Sequence, residues 1–118
     1  GLSPEQGGYI FWVSPNGKHG LVAETIDQST NVFSRTAQNI ISMPSNHSAN
    51  GANFRDWRMP TAYELNEMYL QKANIGGFSS GYYLHSGGDQ GDLINFTSGS
   101  KASQSNKTAA RIRSVRTF

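Results

Sequence analysis

The pattern of apolar and polar positions predicts a β-hairpin near the start of the chain. Residues 8–13 and 19–23 are two short runs of mostly apolar, β-forming side chains. Residues 14–17 (SPNG) lie between them and place Pro and Gly where a type I turn uses them. We therefore expect the two runs to pair as antiparallel strands.

Two helices are predicted in the middle of the chain. In residues 29–43 the apolar side chains recur at helical spacing, and Pro44 would end that helix. Residues 45–55 are polar and rich in Asn, which indicates a surface loop. The second helix begins at Thr61, because Thr61 and Glu64 match a capping box in which each side chain bonds the other residue's backbone amide.

The second helix has one apolar face, and Gly76 and Gly77 mark its end. An amphipathic helix of this kind usually packs against a core, so we assign the stripe to the core and not to a cofactor site. Its apolar residues are Ala62, Leu65, Met68 and Tyr69.

Three strands are predicted in the last third, over residues 81–85, 93–96 and 110–118. The order is hairpin, two helices, then strands, without a βαβ alternation or a long repeat, and it predicts an α+β fold with antiparallel strands and long loops in the second half. Both faces of the last strand carry arginines, so we expect some of them to be paired or to line a groove.

Length and composition favour one folded domain. A chain of 118 residues can bury a core without a metal or disulfides, and no apolar run is long enough to span a membrane. We assign residues 1–7 to an N-terminal linker remnant and residues 8–118 to the domain. The start lacks the features of a leader peptide, which fits a cytosolic protein or, as we favour, a piece of an exported one. The absence of Cys excludes disulfides, thiolate nucleophiles and Cys-ligated zinc.

Charge is distributed unevenly along the chain. Residues 93–118 hold five basic side chains and no Asp or Glu, whereas residues 1–92 hold five basic and eight acidic ones. The two parts carry formal charges of +5 and −3, which sum to +2. If the fold gathers the terminal cations on one face, it creates a field that attracts polyanions. These cations are Lys101, Lys107, Arg111, Arg113 and Arg116.

Neutral polar residues point to sugars as a ligand class. Fifteen Ser, thirteen Gly and ten Asn give a surface rich in hydroxyls and amides. Tyr82 and Tyr83 could stack on sugar rings, although their strand must also supply the core. For the same reason we assign Trp12 to the core.

Three blocks of sequence carry a family resemblance. They are residues 6–28 (QGGYIFWV, then GKHGLVA and DQ), residues 56–65 (DWRMPTAYEL) and residues 112–118 (IRSVRTF). The chain resembles the bacterial domain found at the C-terminus of the Legionella collagen-like adhesin and in many exported proteins of unknown function. The second block is also similar to a stretch of formylglycine-generating enzymes and other relatives of the C-type lectin fold.

This resemblance implies a C-type-lectin-like fold in an extracellular or cell-surface adhesin. It also implies that the domain assembles as a homotrimer on a collagen-like stalk and binds sulfated glycosaminoglycans. The chain departs from the family at residues 82–86 (YYLHS), where relatives often read YWSST. It also lacks the cysteines through which formylglycine-generating enzymes work.

Sulfate esters suit the five terminal cations because they stay ionised at physiological pH. Arg grips two oxygens with its planar fork, and Lys acts as a mobile point charge. Lys101 and Lys107 lie in a polar loop and are the preferred contacts. For Arg111, Arg113 and Arg116 the alternative is internal pairing with the carboxylates. The candidate partners are Asp27, Asp56, Glu64 and Glu67.

Metal and catalytic chemistry have weaker support. Asp89, Asp92 and Asn95 could offer oxygens to calcium, but their spacing matches no calcium motif. The three histidines show no metal-binding spacing, and no nucleophile elbow accompanies them. We therefore expect a non-enzyme without a cofactor or resident metal.

Two other functions remain open. The same cations could bind nucleic acid, which we regard as the weaker interpretation since no nucleic-acid motif is present. The domain could also be a trimerising cap of a collagen-like stalk that binds no ligand. In none of these cases do we expect insertion into a membrane.

Overall fold

The computed structural model describes residues 1–87, 91–104 and 110–118, and it has the predicted mixed α+β architecture. Within these residues the strands are β1 (Leu2–Ser3), β2 (Gly8–Val13), β3 (Gly20–Ala23), β4 (Ser29–Val32), β5 (Tyr82–Leu84), β6 (Leu93–Asn95), β7 (Lys101–Ala102), β8 (Ala110–Ile112) and β9 (Val115–Thr117). The α-helices are α1 (Ser34–Ile41), α2 (Ala62–Leu70) and α3 (Lys72–Ile75).

The first sheet is antiparallel and contains the predicted hairpin. Its strand order is β1-β2-β3-β9, with Tyr9 opposite Ala23 in the hairpin. The turn closes with a hydrogen bond from Gly17 N to Ser14 O of 2.9 Å, and Gly17 has a φ of 73°, which favours glycine. The hairpin prediction is confirmed.

The second sheet is mixed, with strand order β4-β8-β5-β6-β7. β5 and β8 run parallel, with Tyr83 opposite Arg111, and the other pairs are antiparallel. The final segment was predicted as one strand but divides at Arg113 and Ser114, so β8 joins the second sheet and β9 joins the first. At the division Ser114 N donates to the Gln28 side chain at 2.6 Å, and this bond replaces a ladder hydrogen bond.

The first predicted helix is shorter than expected. Residues 29–43 begin with β4, which pairs Val32 with Ala110, and α1 starts only at Ser34. Pairing with β8 satisfies this backbone, and tertiary contacts outweigh a helical spacing that is short and ambiguous. The helix ends before Pro44, as predicted.

The capping box at the start of α2 is confirmed. The Thr61 hydroxyl accepts from Glu64 N at 3.2 Å, and the Glu64 carboxylate accepts from Thr61 N at 2.8 Å. Leu65 and Met68 lie on the inner face of α2 and are completely buried. The chain turns out of α3 at Gly76, whose φ is 82°.

The core consists of two clusters on opposite faces of the sheets, since neighbouring residues of β3, β5 and β6 belong to different clusters. One cluster lies under α2 and contains Phe11, Ala23, Leu65, Met68, Ile75, Tyr83, Ile94, Phe96 and Val115. The other lies beside α1 and contains Val22, Val32, Ala37, Ile41, Trp57, Leu84, Leu93, Ala110 and Ile112. Trp12 was expected in the core but is 44% exposed, because the strand bulges between Ile10 and Trp12 and carries it to the rim.

Residues 1–7 are part of the folded unit, so their assignment to a linker was wrong. β1 pairs with β2, and Pro4–Gln6 forms a 3-10 turn whose cap is the Ser3 hydroxyl. The terminal amino group donates to Ile10 O at 2.9 Å. Domain structure therefore begins ahead of residue 8.

Candidate functional site

Arg113 is completely buried at the point where the chain passes from β8 of the second sheet to β9 of the first. Its Nε donates to Asp27 at 2.9 Å, and its Nη1 donates to the carbonyl oxygens of Glu24 and Gly76, each at 3.0 Å. The guanidinium also lies over the ring of Phe78, 4.0 Å from its centroid. Nη2 lies 2.9 Å from Asp27 but lacks the alignment of a hydrogen bond. Arg113 therefore joins segments of the fold and is closed to a ligand.

Asp27 is shared by three side chains. Arg111 reaches it at 3.2 Å, Arg113 at 2.9 Å, and the Tyr83 hydroxyl donates to it at 2.8 Å. Burial, together with the Asp27 charge, raises the pKa of Tyr83 to about 12. Two guanidinium groups face one carboxylate, which leaves an excess positive charge at this place. The Arg111 side chain is 31% exposed and brings part of that charge to the surface.

Arg116 is also buried and paired. Its Nε donates to Asp56 at 2.8 Å, and its Nη1 donates to both oxygens of Gln6 at 3.0 Å. The guanidinium stacks on Phe54, 3.9 Å from the ring centroid. Arg116 thus ties β9 to the N-terminal turn and to the segment that precedes α2.

The five terminal cations do not form one accessible face in the part of the chain that is described. Arg113 and Arg116 are corrected to structural residues, because a buried guanidinium without a counter-charge would be too costly and each has a carboxylate within reach. Arg111 is paired but remains partly accessible. Lys101 is exposed on β7, and Lys107 lies outside the described residues.

Tyr83 cannot stack on a sugar, so this part of the prediction is wrong. Its ring is completely buried among Phe78 and Phe96, with its centroid 4.4 Å from that of Phe96. Because successive side chains of a strand point to opposite faces, Tyr82 lies on the other face of β5, where it is half-buried. Tyr82 alone keeps the predicted possibility of a sugar contact.

Lys101 belongs to an edge that sequence reasoning described only in part. Gln104 follows β7 and binds the start of α1, accepting from Ser34 N at 3.2 Å and donating to Val32 O at 2.8 Å. This contact brings the chain beyond Lys101 to exposed Arg35. Lys101 lies on the edge strand β7 and Arg35 on α1, and we call these two exposed cations together the β7 edge. Arg35 is the only Asp, Glu, Lys or Arg residue between Asp27 and Arg55 in the sequence, so no local cluster of charge indicated it.

Arg111 and Lys101 lie at matching positions across the second sheet. The register runs from Arg111 to Tyr83, then to Ile94 and to Lys101. With neighbouring strands about 4.8 Å apart, the two basic positions are separated by about 14 Å. The two residues between them in this row, Tyr83 and Ile94, are buried in the core, so a polyanion would have to contact Arg111 and Lys101 from the rim of the sheet and not along the row.

A buried ion pair lies in the predicted surface loop, and sequence reasoning missed it. Nδ1 of His47 is 2.7 Å from Oε2 of Glu24, and both side chains are almost completely buried. The Glu24 carboxylate also accepts from the backbone of Thr25 at 2.7 Å and of Ser48 at 3.1 Å. Burial raises the pKa of Glu24, but the hydrogen bonds, first that of His47, outweigh it and hold the pKa below its usual range. No local motif announces this pair, because its partners are 23 residues apart.

A cavity of about 380 Å³ opens beside this ion pair. Thr25 and Ser48, which bind Glu24, also form part of its wall. The other lining residues are Leu2, Pro4, Gly7, Gly8, Ala49, Asn50 and Ile75. The wall is mostly apolar and carries no charged side chain.

The predicted calcium position is only partly described. Asp92 accepts from Gln104 N at 2.7 Å, and Asp89 lies outside the described residues. No group of three or more potential metal ligands occurs in the part of the chain that the structure covers. His85 is buried next to this strand, and its pKa is lowered chiefly by burial.

Comparison with known proteins adds no assignment. No model of a known protein family matches the chain, and no curated protein matches it. Among the described residues, none of the helices has both the length and the hydropathy needed to cross a lipid bilayer.

Proposed function

We propose that this protein is a non-enzymatic, extracellular adhesin domain with a C-type-lectin-like fold that binds sulfated glycosaminoglycans. The family resemblance of the three sequence blocks suggests the fold, the cell-surface location and assembly as a homotrimer. The α+β architecture, with both chain termini in one sheet, is compatible with that fold.

The pairing of charged groups carries the proposal. Of the seven described Asp and Glu residues, four are in ion pairs, which leaves three. Of the nine described Lys and Arg residues, four are in ion pairs, which leaves five. Four of the seven carboxylates are thus paired, and the five cations and three carboxylates left without an ion pair in the described part give a surplus of two positive charges. Exposed cations without an ion pair there are Lys18, Arg35, Arg55 and Lys101.

The β7 edge and Arg111 are the proposed contacts for the sulfated chain. Arg35 and Lys101 are exposed, and Arg111 adds the uncompensated charge of the Asp27 cluster. Several accessible cations on one domain favour a long anionic polymer over a small anion, because several weak contacts then act together. Lys107 stays a predicted contact.

Retention on immobilised heparin in a salt gradient tests this function. We expect retention of the wild-type protein, and loss of retention on the desulfated chain. Lys101→Ala combined with Arg35→Ala should elute at clearly lower salt, since each lost contact reduces the number of counterions released, as in other polyanion complexes. Lys18→Ala is the matched control, because it removes an exposed cation from the hairpin turn of the other sheet.

Equal retention on sulfated and desulfated chains would contradict the proposal. Binding to single-stranded DNA that exceeds heparin binding at matched ionic strength would favour a nucleic-acid module. Absence of any retention, with a trimer seen in sedimentation, would favour a ligand-free cap of a stalk.

A further inference from the structure

His47 has a hydrogen-bond acceptor on each side of its ring. Nδ1 lies 2.7 Å from Oε2 of Glu24, and Nε2 lies 2.6 Å from the carbonyl oxygen of Ile41. A neutral imidazole has one N–H and cannot donate at both places, whereas an imidazolium can. We infer that His47 is a buried imidazolium whose proton fastens the loop of residues 42–56 to the end of β3, and that the loop opens when this proton is lost.

Neither neighbour of the ring can supply the missing hydrogen. The carbonyl oxygen of Ile41 is only an acceptor. The Glu24 carboxylate would have to be protonated, but it accepts backbone hydrogen bonds from Thr25 and Ser48, and its pKa is lowered. The second proton therefore resides on His47.

Glu24 is the charged group that faces His47 among the described residues. α1 presents the Ile41 carbonyl, and the segment before α2 presents the indole of Trp57, which stacks on the imidazole with ring centroids 5.2 Å apart. The charged residues beside Trp57 bond elsewhere: Arg55 to Ala52 O and Asp56 to Arg116. No second cation competes for Glu24 in this part of the chain.

The ion pair fixes the loop at several points. Ser48 N donates to Glu24, the Ser48 hydroxyl accepts from Gly51 N at 3.1 Å, and Trp57 Nε1 donates to Gly51 O at 2.8 Å. Gly51 packs so closely on Glu24 that an added Cβ would collide with its carboxylate. Ser48 also belongs to the wall of the 380 Å³ cavity, so loss of the fastening opens that wall.

The direction of the pH dependence follows from the protonation of His47 and of Glu24. Loss of the His47 proton leaves a ring nitrogen lone pair against an acceptor, so the fastening is lost as pH rises. Protonation of Glu24 removes the counter-charge, so it is also lost in strong acid, as pH falls through the lowered pKa of Glu24. The loop is closed in the pH range between these two events.

The fluorescence of Trp57 reports directly on whether His47 is protonated. A protonated imidazole quenches an indole that it stacks on, and Trp12→Phe leaves Trp57 as the only tryptophan. We expect emission of this variant to rise with pH in one step, as the His47 proton is lost. In the same step, amide exchange of residues 45–53, corrected for its intrinsic rate, should accelerate by about tenfold or more, since a broken buried pair is costly. Amides of β2 and β3 should keep their protection.

Three variants separate the effect of the His47 proton from a general loss of stability. Glu24→Gln keeps an acceptor at the same place but removes the charge, so the emission step should move to lower pH. His47→Gln should abolish the step, and His19→Gln should leave it unchanged. If His47→Gln does not fold, the Glu24→Gln shift still decides. A Trp57 step that persists in folded His47→Gln, or a step that does not move in Glu24→Gln, would overturn the inference.

Discussion

The arginines of β8 and β9 and the lysine of β7 belong to one basic stretch of sequence but have opposite fates. Arg113 and Arg116 are enclosed by carboxylates, carbonyl oxygens and aromatic rings, whereas Lys101 extends into solvent from an edge strand. A planar guanidinium can donate to several buried acceptors at once. The ammonium of Lys101 is strongly hydrated and stays in solvent beside the edge strand. Basic residues close in sequence therefore do not define one surface.

The largest effect should come from the carboxylate that the arginines share. Asp27→Ala leaves Arg113 buried without a counter-charge, and we expect a loss of about 3–5 kcal/mol in the free energy of unfolding. Urea denaturation monitored by circular dichroism measures this loss. Asp27→Asn, which keeps an acceptor for Tyr83, should lose less than Asp27→Ala. Equal stability of Asp27→Ala and the wild type would contradict the structural role of the arginines.

Arg116→Ala should rank second, with a loss of about 2–3 kcal/mol, since it removes buried hydrogen bonds and stacking on Phe54. Arg116→Lys should recover little of this loss, because an ammonium cannot reproduce the forked contacts. Asp56→Ala is the matched control. Its side chain is 57% exposed, so water can replace it and the loss should be smaller. Thermal melts of the three variants test the ranking.

A smaller, pH-dependent effect is expected at the start of α2. Burial raises the pKa of Glu64, but hydrogen bonds from Arg58 and Thr61 outweigh it and lower the pKa overall. The stabilisation is therefore present above the ordinary carboxyl pKa and is lost as pH falls through the lowered one. Glu64→Ala should lose about 1–2 kcal/mol at neutral pH by removing both cap and ion pair.

Glu64→Gln keeps the capping box and removes the charge, so it should lose less at neutral pH than Glu64→Ala. Its melting temperature should fall less steeply between pH 5 and pH 3 than that of the wild type. An identical slope in both proteins would show that Glu64 does not carry this dependence.

The smallest effect on stability is expected at Lys101. Because its side chain is exposed and makes no ion pair among the described residues, Lys101→Ala should change the free energy of unfolding by less than about 0.5 kcal/mol. The same substitution should weaken heparin retention. A destabilisation comparable with that of Arg116→Ala would remove the contrast between the two regions.

Local signals predicted the hairpin and the start of α2. Both features depend on bonds between residues at most three positions apart, in the turn at Gly17 and in the capping box of Thr61 and Glu64. A short stretch of sequence is therefore enough to predict them. The strand β4 was hidden within a helical pattern, because its partner β8 lies near the other end of the chain.

The burial and the pairing partners of the arginines could not be predicted from the sequence. Arg111 meets Asp27 across 84 positions, and Arg116 meets Gln6 across 110. A sequence shows which carboxylates exist but not which of them the fold brings near. Internal pairing of the arginines was one of two open alternatives, and the contacts decide for it at Arg113 and Arg116.

β9 has a consequence for the order of folding. It completes the first sheet against β3, and Arg116 reaches back to the N-terminal turn and the segment before α2. The bond from Arg116 to Gln6 closes a loop of 110 positions, and the entropy lost on closing so long a loop must be spent before the contact is gained. We therefore expect the local hairpin and the capped helix to form first and the first sheet to be completed late, which folding kinetics of Arg116→Ala would reveal as faster unfolding at an unchanged folding rate.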